Sequence, residues 1–344
     1  MLKKCANCGS KIEFIPKEKG NKCQSCGSVF PIKYNFKFKK KPFSKNVPLP
    51  EDEVAEQMNN IQCKSCGARV FLNKYEINQS CPYCGNMAVS KSRNKKLMYI
   101  DSIIPFSFGR EEALAKFKNT LRKRFYANKK IFKHITAKDI KGTYISAFVF
   151  DLATSSTYQG TLSYTEVKED SNGSKTSTRK YKQVSGIFNK TLKNITIEAN
   201  SNLNQQDLYH VLPYDYAAAV EFTGEFMHGY MLEYQDTQFE SCFKVAEGIA
   251  RKKIEQELLK KYNCDAIEEL KLDIGYIDRQ YNYCLLPVYF ITTTDKDKKY
   301  TAIINGQTGE VGNLPTDKMR VFLTIFLACG VFVAIILLLN LFLN

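Results

Sequence analysis

The hydrophobic positions between residues 110 and 127 follow the period of an α-helix. Leu114, Phe117, Leu121 and Phe125 lie on one face, and lysines and arginines occupy most of the others. The pattern predicts an amphipathic basic helix. Two placements fit it: packing on a sheet with the basic face in solvent, or lying on a membrane surface.

Further along the chain, the period changes to that of β-strands. Runs of β-branched and aromatic residues predict strands over 142–154, 158–167, 179–187, 194–198, 272–279, 283–293 and 299–304. An apolar stripe from Phe239 to Ile254 predicts one long helix, and Thr237 with Glu240 predicts a capping box at its start. Strands in sequential hairpins together with two helices favour an α+β fold with an antiparallel sheet.

The last apolar run, 321–339, has no charged residue, and fourteen of its nineteen side chains are Leu, Ile, Phe or Val. At about 1.5 Å per residue, such a helix spans a hydrocarbon core of about 30 Å. A buried core helix would show a polar face, which this run lacks. Because Lys318 and Arg320 precede it, the positive-inside tendency predicts a single-pass tail anchor in the cell membrane with cytoplasmic N-terminal domains.

The positive charge of the 344-residue chain is concentrated in its first half. The net charge is +15; residues 1–150 hold 30 Lys and Arg against 11 Asp and Glu, and residues 151–344 hold 20 against 24. This distribution is compatible with three partners for the first half: anionic lipid, nucleic acid or a protein.

Eight cysteines form two sets with the same spacing. Each set consists of Cys-x2-Cys, fourteen residues and Cys-x2-Cys, and Gly follows the second Cys of every pair. This spacing predicts two structural Zn2+ sites of four thiolates, each closed to water and substrate. The alternatives are disulfides, which a reducing cytosol disfavours, and iron-sulfur clusters, for which such regular pairs are less usual. The predicted ligands are Cys5, Cys8, Cys23, Cys26, Cys63, Cys66, Cys81 and Cys84.

These features divide the chain into five parts. We expect zinc ribbon 1 at 1–40, a linker at 41–60, zinc ribbon 2 at 61–90, the α+β domain at 101–315 and the transmembrane anchor at 319–344.

The chain contains several short motifs that occur in combination. They are Cys-Pro-Tyr-Cys-Gly at 81–85, Ile-Ile-Pro-Phe at 103–106, Gly-Thr-Tyr at 142–144, Phe-Asp at 150–151, Leu-Pro-Val-Tyr at 286–289 and Ile-Asn-Gly-Gln-Thr-Gly-Glu-Val at 304–311. Together they resemble a bacterial family of membrane-anchored proteins labelled TFIIB-type zinc ribbon-containing or helicase-related. No Gly-x4-Gly-Lys-Ser/Thr loop in the sequence supports the helicase label.

The resemblance extends from residue 61 to the C-terminus. It implies a protein of the cytoplasmic membrane without an established enzymatic activity, and a flotillin-like or phage-shock-type membrane scaffold as its partner. The chain departs from the family pattern at Ser146 and Phe148, where a proline and a tryptophan are usual, and in its additional N-terminal ribbon.

Residues that usually carry catalysis form no recognisable set in the sequence. Glu225 and His228 have the spacing of a metal pair but no second copy, and no other motif pairs an acid with a base. We therefore expect an adaptor or scaffold that recruits a protein partner to the inner face of the membrane, and not an enzyme. The remaining histidines and cysteines, which fall into no metal-site spacing, are His134, His210, Cys242, Cys264, Cys284 and Cys329.

The alternative function is nucleic-acid binding by a zinc-ribbon protein held at the membrane. Cations and aromatic rings alternate after the first ribbon, as they do in proteins that bind single strands. The same lysines suit anionic lipid, and the same rings suit a small protein core. The residues are Lys33, Tyr34, Phe36, Lys37, Phe38, Lys39, Lys40, Lys41, Phe43 and Lys45.

Overall fold

The computed structural model describes residues 4–35, 38–43, 51–52, 58–73, 81–84, 86, 89–91, 97–169, 173, 175–201, 205–233, 235–295 and 298–343. The helices are α1 Arg110–Lys123, α2 Gln205–Tyr209, α3 Phe239–Tyr262 and α4 Lys318–Leu343. The strands are β1 Ile12–Ile15, β2 Gly20–Cys23, β3 Val29–Pro31, β4 Lys41–Pro42, β5 Glu51–Asp52, β6 Met58–Cys63, β7 Arg69–Asn73, β8 Val89–Lys91, β9 Leu97–Met98, β10 Ser102–Ile103, β11 Ile140–Glu169, β12 Lys175–Glu198, β13 Val220–Glu221, β14 Met231–Glu233, β15 Ala266–Asp295, β16 Lys298–Asn305 and β17 Val311–Gly312.

Three long antiparallel strands form the centre of the main sheet, in the order β12, β11, β15. β11 pairs with β15 from Ile140 to Ser163 and with β12 from Ala147 to Glu169. The shorter, separate strands predicted from the sequence are therefore wrong in extent. The polar stretches between them remain hydrogen-bonded to the neighbouring strands, and register shifts between Phe150 and Leu152 and between Ala153 and Thr154 absorb the irregularities.

The α+β class is confirmed. Within the described residues, the main sheet is antiparallel apart from short parallel contacts of β10 with β15 and of β14 with β11. β1, β2 and β3 form a separate sheet, and β5 pairs with β9. The sequence pattern therefore identified the fold class, although it divided the long strands.

Each face of the main sheet carries its own hydrophobic core. On one face, α1 and α3 bury aromatic side chains such as Phe117, Phe148 and Phe243. On the other face, Ile145 and Val149 pack under residues 208–219, among them Leu208 and Tyr216. Because side chains of a strand alternate between faces, the long strands supply both cores.

One end of each predicted helix differs from the sequence expectation. α1 ends at Lys123 because Arg124 adopts extended backbone (φ −81°, ψ 105°) and the following residues turn towards α4. The capping box predicted at Thr237 and Glu240 is wrong. α3 begins at Phe239 with Gln238 as its N-cap, and the Thr237 hydroxyl donates to Asp236 Oδ1 (3.1 Å) instead.

Segments predicted as ribbon and linker are bonded to the main sheet. In the predicted linker, Lys41 and Pro42 pair with Tyr281 and Gln280 of β15. β7 of the second ribbon pairs with β14, so this ribbon extends the main sheet through β6 and β8. The domain boundaries given above remain a prediction, and these strands connect the parts that they separate.

α4 is the helix whose sequence predicted a membrane span. Its segment Lys318–Ile336 is long and apolar enough to cross a membrane, and none of it is buried. Phe322, Phe326 and Phe332 are each about two-thirds exposed, which is unusual for aromatic side chains in water.

Candidate metal centres

The structure brings each predicted set of four cysteines together. Within each set, the four sulfur atoms lie within 4.8 Å of one another. In the first set, Cys5 Sγ is 3.5 Å from Cys26 Sγ and Cys8 Sγ is 3.4 Å from Cys23 Sγ. The corresponding distances in the second set are 3.5 Å between Cys63 and Cys84 and 3.6 Å between Cys66 and Cys81. Each set could hold one metal ion.

Local backbone geometry explains how each pair converges. The amide of Cys5 donates to the carbonyl of Ser10 (2.9 Å), and the amide of Gly9 donates to the carbonyl of Cys5 (2.9 Å). Cys23 and Cys63 repeat the arrangement with Ser28 and Ala68. The turn places a residue at positive φ, and glycine accepts this conformation without strain. Three glycines that follow a second cysteine have φ of 72°, 74° and 78°: Gly9, Gly27 and Gly67.

The sulfurs of the first set differ in their tendency to ionise. Burial raises the pKa of the Cys5 thiol to about 11. The Ser28 hydroxyl and amide lower the pKa of the exposed Cys26 thiol to about 6. A metal that binds all four as thiolates must therefore displace protons, and its affinity falls as the pH is lowered.

The first set is attached to the body mainly through Phe14, beside an ion pair of Glu13 with Arg110 (3.4 Å). Phe14, on β1, donates its amide to the carbonyl of His228 (2.9 Å). Its ring packs against Phe226 and Tyr230, with centroid distances of 5.1 and 6.3 Å. Phe14 is not among the residues predicted from the sequence to matter. It is one of three apolar residues in β1, and the local pattern does not distinguish it from Ile12, which packs with the cysteines.

The second set is attached directly to the main sheet, through Tyr83. Tyr83 lies between Cys81 and Cys84, and its ring is 4.9 Å from that of Phe290. Its carbonyl accepts hydrogen bonds from the hydroxyls of Thr292 (3.4 Å) and Thr301 (3.3 Å). This contact buries Cys84, whereas the equivalent Cys26 of the first set is exposed.

The basic and aromatic residues after the first ribbon also contact the body. Tyr34 packs on Phe226 (5.7 Å), Phe38 stacks on Tyr216 (5.3 Å), and the partly buried Phe43 packs against the core of the main domain. Lys33 and Lys39 are exposed; Phe36, Lys37 and Lys45 lie outside the described residues. Two lysines form ion pairs with the body: Lys40 with Asp151 (2.5 Å) and Lys41 with Asp101 (2.7 Å).

The other histidines and cysteines stay apart from the two sets. His228 is buried, His134 is exposed on the loop after α1, and His210 follows α2. Cys242 is buried on α3, where its thiol donates to the Glu198 carbonyl (3.5 Å). Among the residues that the structure describes, these side chains join no group of three or more possible metal ligands.

Comparison with known proteins gives a distant relative. The uncharacterized protein YdjG of Bacillus subtilis (strain 168) is 24% identical over 320 residues, which cover 91% of this chain and 89% of that protein. No family model matches the chain, and no solved structure matches it. The similarity therefore extends over nearly the whole length of both proteins.

Proposed function

We propose that the protein is a membrane-tethered cytosolic adaptor whose two zinc ribbons recruit a protein partner to the inner face of the membrane. The observation that carries this proposal is that one chain combines two four-cysteine sets with an apolar helix of membrane-spanning length, no part of which is buried. α4 crosses the bilayer once, and Lys318 and Arg320 keep its N-terminal end on the cytosolic side. In the reducing cytosol, the thiolates hold zinc.

Metal sites closed by four thiolates suit partner binding and not catalysis at the metal. Four thiolates complete the tetrahedron of a zinc ion, so neither water nor substrate has a position on the metal. Zinc then holds the turns around the cysteines as rigid surfaces. Three of these turns face solvent, through residues 6–9, 24–27 and 64–67. The fourth is attached to the body through Tyr83 and is not available to a partner.

The arrangement favours a protein partner over nucleic acid. Single-strand binders use exposed rings for base stacking, and here Tyr34, Phe38 and Phe43 pack against the body. Lys40 and Lys41 are neutralised by carboxylates. The family resemblance suggests a flotillin-like or phage-shock-type membrane scaffold as the partner.

The test is affinity purification of the full chain from detergent-solubilised membranes, with partners quantified by mass spectrometry. Two double variants place charge on the exposed turns without changing a cysteine: A6E/S25E and K64E/S65E. We expect at least one of them to reduce recovery of the partner by about tenfold, which corresponds to about 1.4 kcal/mol of binding free energy.

The matched control places the same kind of charge near the end of the hairpin formed by β11 and β12. T176E/S177E adds two charges at exposed positions of β12, and we expect it to recover the partner like the unchanged chain. Zinc content must be equal in all variants. Equal recovery by both turn variants would contradict the adaptor function, and release of the full chain from membranes by alkaline carbonate would contradict the anchor.

A further inference from the structure

A strongly basic segment leads from α1 to the start of β11. From Ala113 to Lys138 the chain has no Asp or Glu and nine Lys and Arg residues. The nine are Lys116, Lys118, Arg122, Lys123, Arg124, Lys129, Lys130, Lys133 and Lys138. A cationic stretch of this density attracts an anionic surface.

The structure attaches this segment to the first turn of α4. The amide of Asp317 donates to the Tyr126 carbonyl (2.7 Å), and the amide of Asn128 donates to the Pro315 carbonyl (2.8 Å). Arg320 Nη1 donates to the Phe125 carbonyl (3.1 Å). The loop at 124–128 is therefore held beside the residues that precede the apolar part of the helix.

The loop exposes two aromatic rings at this position. Phe125 is 63% exposed and Tyr126 is 44% exposed, and the two rings meet edge to face at 5.2 Å. The Arg320 guanidinium lies 5.9 Å from the centre of the Phe125 ring. Exposed aromatic rings beside cations at the end of an apolar helix are typical of the membrane interface.

Four of the lysine and arginine side chains at the end of α1 and in the loop that follows form no ion pair within the described residues. Arg124 pairs with Glu310 (3.7 Å) and Arg320 pairs with Asp317 (3.3 Å). By contrast, four cations between residues 122 and 133 are exposed and form no ion pair with any residue that the structure describes. They are Arg122, Lys123, Lys130 and Lys133.

We propose that residues 122–133, the basic-aromatic loop, lie in the headgroup layer of the membrane and bind anionic phospholipid. The proposal rests on the proposed function in one respect, the insertion of α4. The headgroup layer is about 5 to 7 Å thick on each side of the hydrocarbon core, about one turn of a helix. Since Phe125 is bonded to Arg320, an inserted α4 places both rings in that layer and the four cations beside its phosphates.

The first experiment uses the absence of tryptophan from the chain. In F125W, the introduced indole is the only one, and its fluorescence reports on its surroundings. The full-length variant is reconstituted in nanodiscs that contain lipids brominated near the headgroup. We expect a blue-shifted emission and quenching by the brominated lipid.

Y181W is the matched control. Tyr181 is also 63% exposed, and it pairs with Ser163 of β11. Ser163 is 23 residues beyond Ile140, the first residue of β11 (163 − 140), so at about 3.3 Å per residue the control lies roughly 75 Å along the strand from the start of β11. We expect its emission to remain that of a solvent-exposed indole, without quenching.

The second experiment tests the preference for anionic lipid. In F125W nanodiscs, brominated phosphatidylglycerol and brominated phosphatidylcholine are compared at equal mole fraction and low salt. We expect the anionic lipid to quench about twofold more strongly, because each cation near the surface enriches it. Adding R122E, K123E and K130E to F125W should remove that preference. The same number of reversals on α3, K244E, K252E and K253E, should leave it unchanged.

The outcomes separate this inference from the anchor itself. A chain that does not comigrate with nanodiscs contradicts the insertion of α4 and the inference with it. A chain that comigrates while the indole of F125W stays solvent-exposed and unquenched overturns only the inference. Equal quenching by both lipids overturns the anionic preference, and binding of a labelled oligonucleotide by the reconstituted chain in that case assigns the cations to nucleic acid instead.

Discussion

Phe43 attaches the segment after the first ribbon to the core of the main domain. Its ring lies 4.9 Å from Phe243 and 5.1 Å from Phe239. Phe150 and Tyr281 complete the surroundings at 5.8 and 5.7 Å. Edge-to-face contacts of this kind add to the stabilisation from burying the ring. One side chain therefore joins a segment predicted as linker to the sheet and to α3.

We expect Phe43→Ala to reduce the free energy of unfolding by about 2 to 4 kcal/mol, since it removes a ring and leaves a cavity among four others. Denaturant unfolding of the detergent-solubilised full chain measures the change. Tyr181→Ala, at a residue that is 63% exposed, should cost no more than about 0.5 kcal/mol. Equal midpoints for the two variants would show that Phe43 does not hold this segment.

Glu198 is a buried carboxyl at the end of β12. Within the described residues, neither of its side-chain oxygens has a hydrogen-bond partner. Burial raises its pKa well above 4.5, and the carboxylates of Asp236 and Asp207 add to the effect. The folded protein therefore favours the protonated form, and this contribution to stability is present at low pH and is lost as the pH rises through the raised pKa.

Glu198→Gln removes the ionisable group at nearly constant volume. We expect the variant to be more stable than the unchanged chain at pH 8, where Glu198 must be protonated or buried as a charge, and to match it near pH 4, below the pKa of a carboxyl in the unfolded chain. Thermal unfolding at the two pH values gives the comparison. Glu269→Gln, at an exposed position, should show no such pH-dependent gain. A parallel pH response of E198Q and the unchanged chain would refute this role for the carboxyl.

At the scale of elements, the two ribbons share a spacing but differ in their attachment. The first has its own three-stranded sheet and contacts the body mainly through Phe14. The second continues the main sheet through β7 and is attached through Tyr83. Equal spacing determines equal local turns, because the turn involves only neighbouring residues. The attachment depends on residues far away in the chain, which the spacing does not encode.

Removing a ligand from the first set should unfold that ribbon alone. In Cys8→Ser, we expect the metal content to fall from about two ions per chain to about one, since three thiolates bind zinc far more weakly than four. Hydrogen exchange should become faster in β1, β2 and β3 and remain unchanged in β11 and β12. Cys264→Ser, outside both sets, should keep both ions. Retention of both ions by C8S would contradict the proposed ligand set.

At the scale of the whole molecule, the three long strands extend beyond the rest of the main sheet as an arm. α3 covers one face of the arm, where Leu162 and Val184 are buried. Beyond these residues the hairpin is largely exposed, and its ion pairs, such as Lys175 with Glu169, are at the surface. Exposed pairs of this kind contribute about 0 to 1 kcal/mol, so the tip adds little to the stability of the fold.

Shortening the hairpin tests this view of the arm. Residues 167–177 are replaced by Asn-Gly, which joins the paired residues Glu166 and Thr178 in a tight turn. We expect the free energy of unfolding to change by less than about 1 kcal/mol. A matched variant, Val184→Ala, should cost more, about 1 to 2 kcal/mol, because its side chain is buried under α3. Loss of folding in the shortened chain would show that the tip belongs to the core.

The sequence by itself determined the cysteine sets that converge, the apolar helix at the C-terminal end and the α+β class. Each depends on spacing, run length or period, which are properties of residues close together in the chain. Only the tertiary structure decided that β11, β12 and β15 are continuous, that Phe14, Phe43 and Tyr83 attach the ribbons, that Glu198 is buried and that Phe125 lies beside Arg320. These features arise from contacts between residues that are distant in the chain, where pairing and burial override local preference.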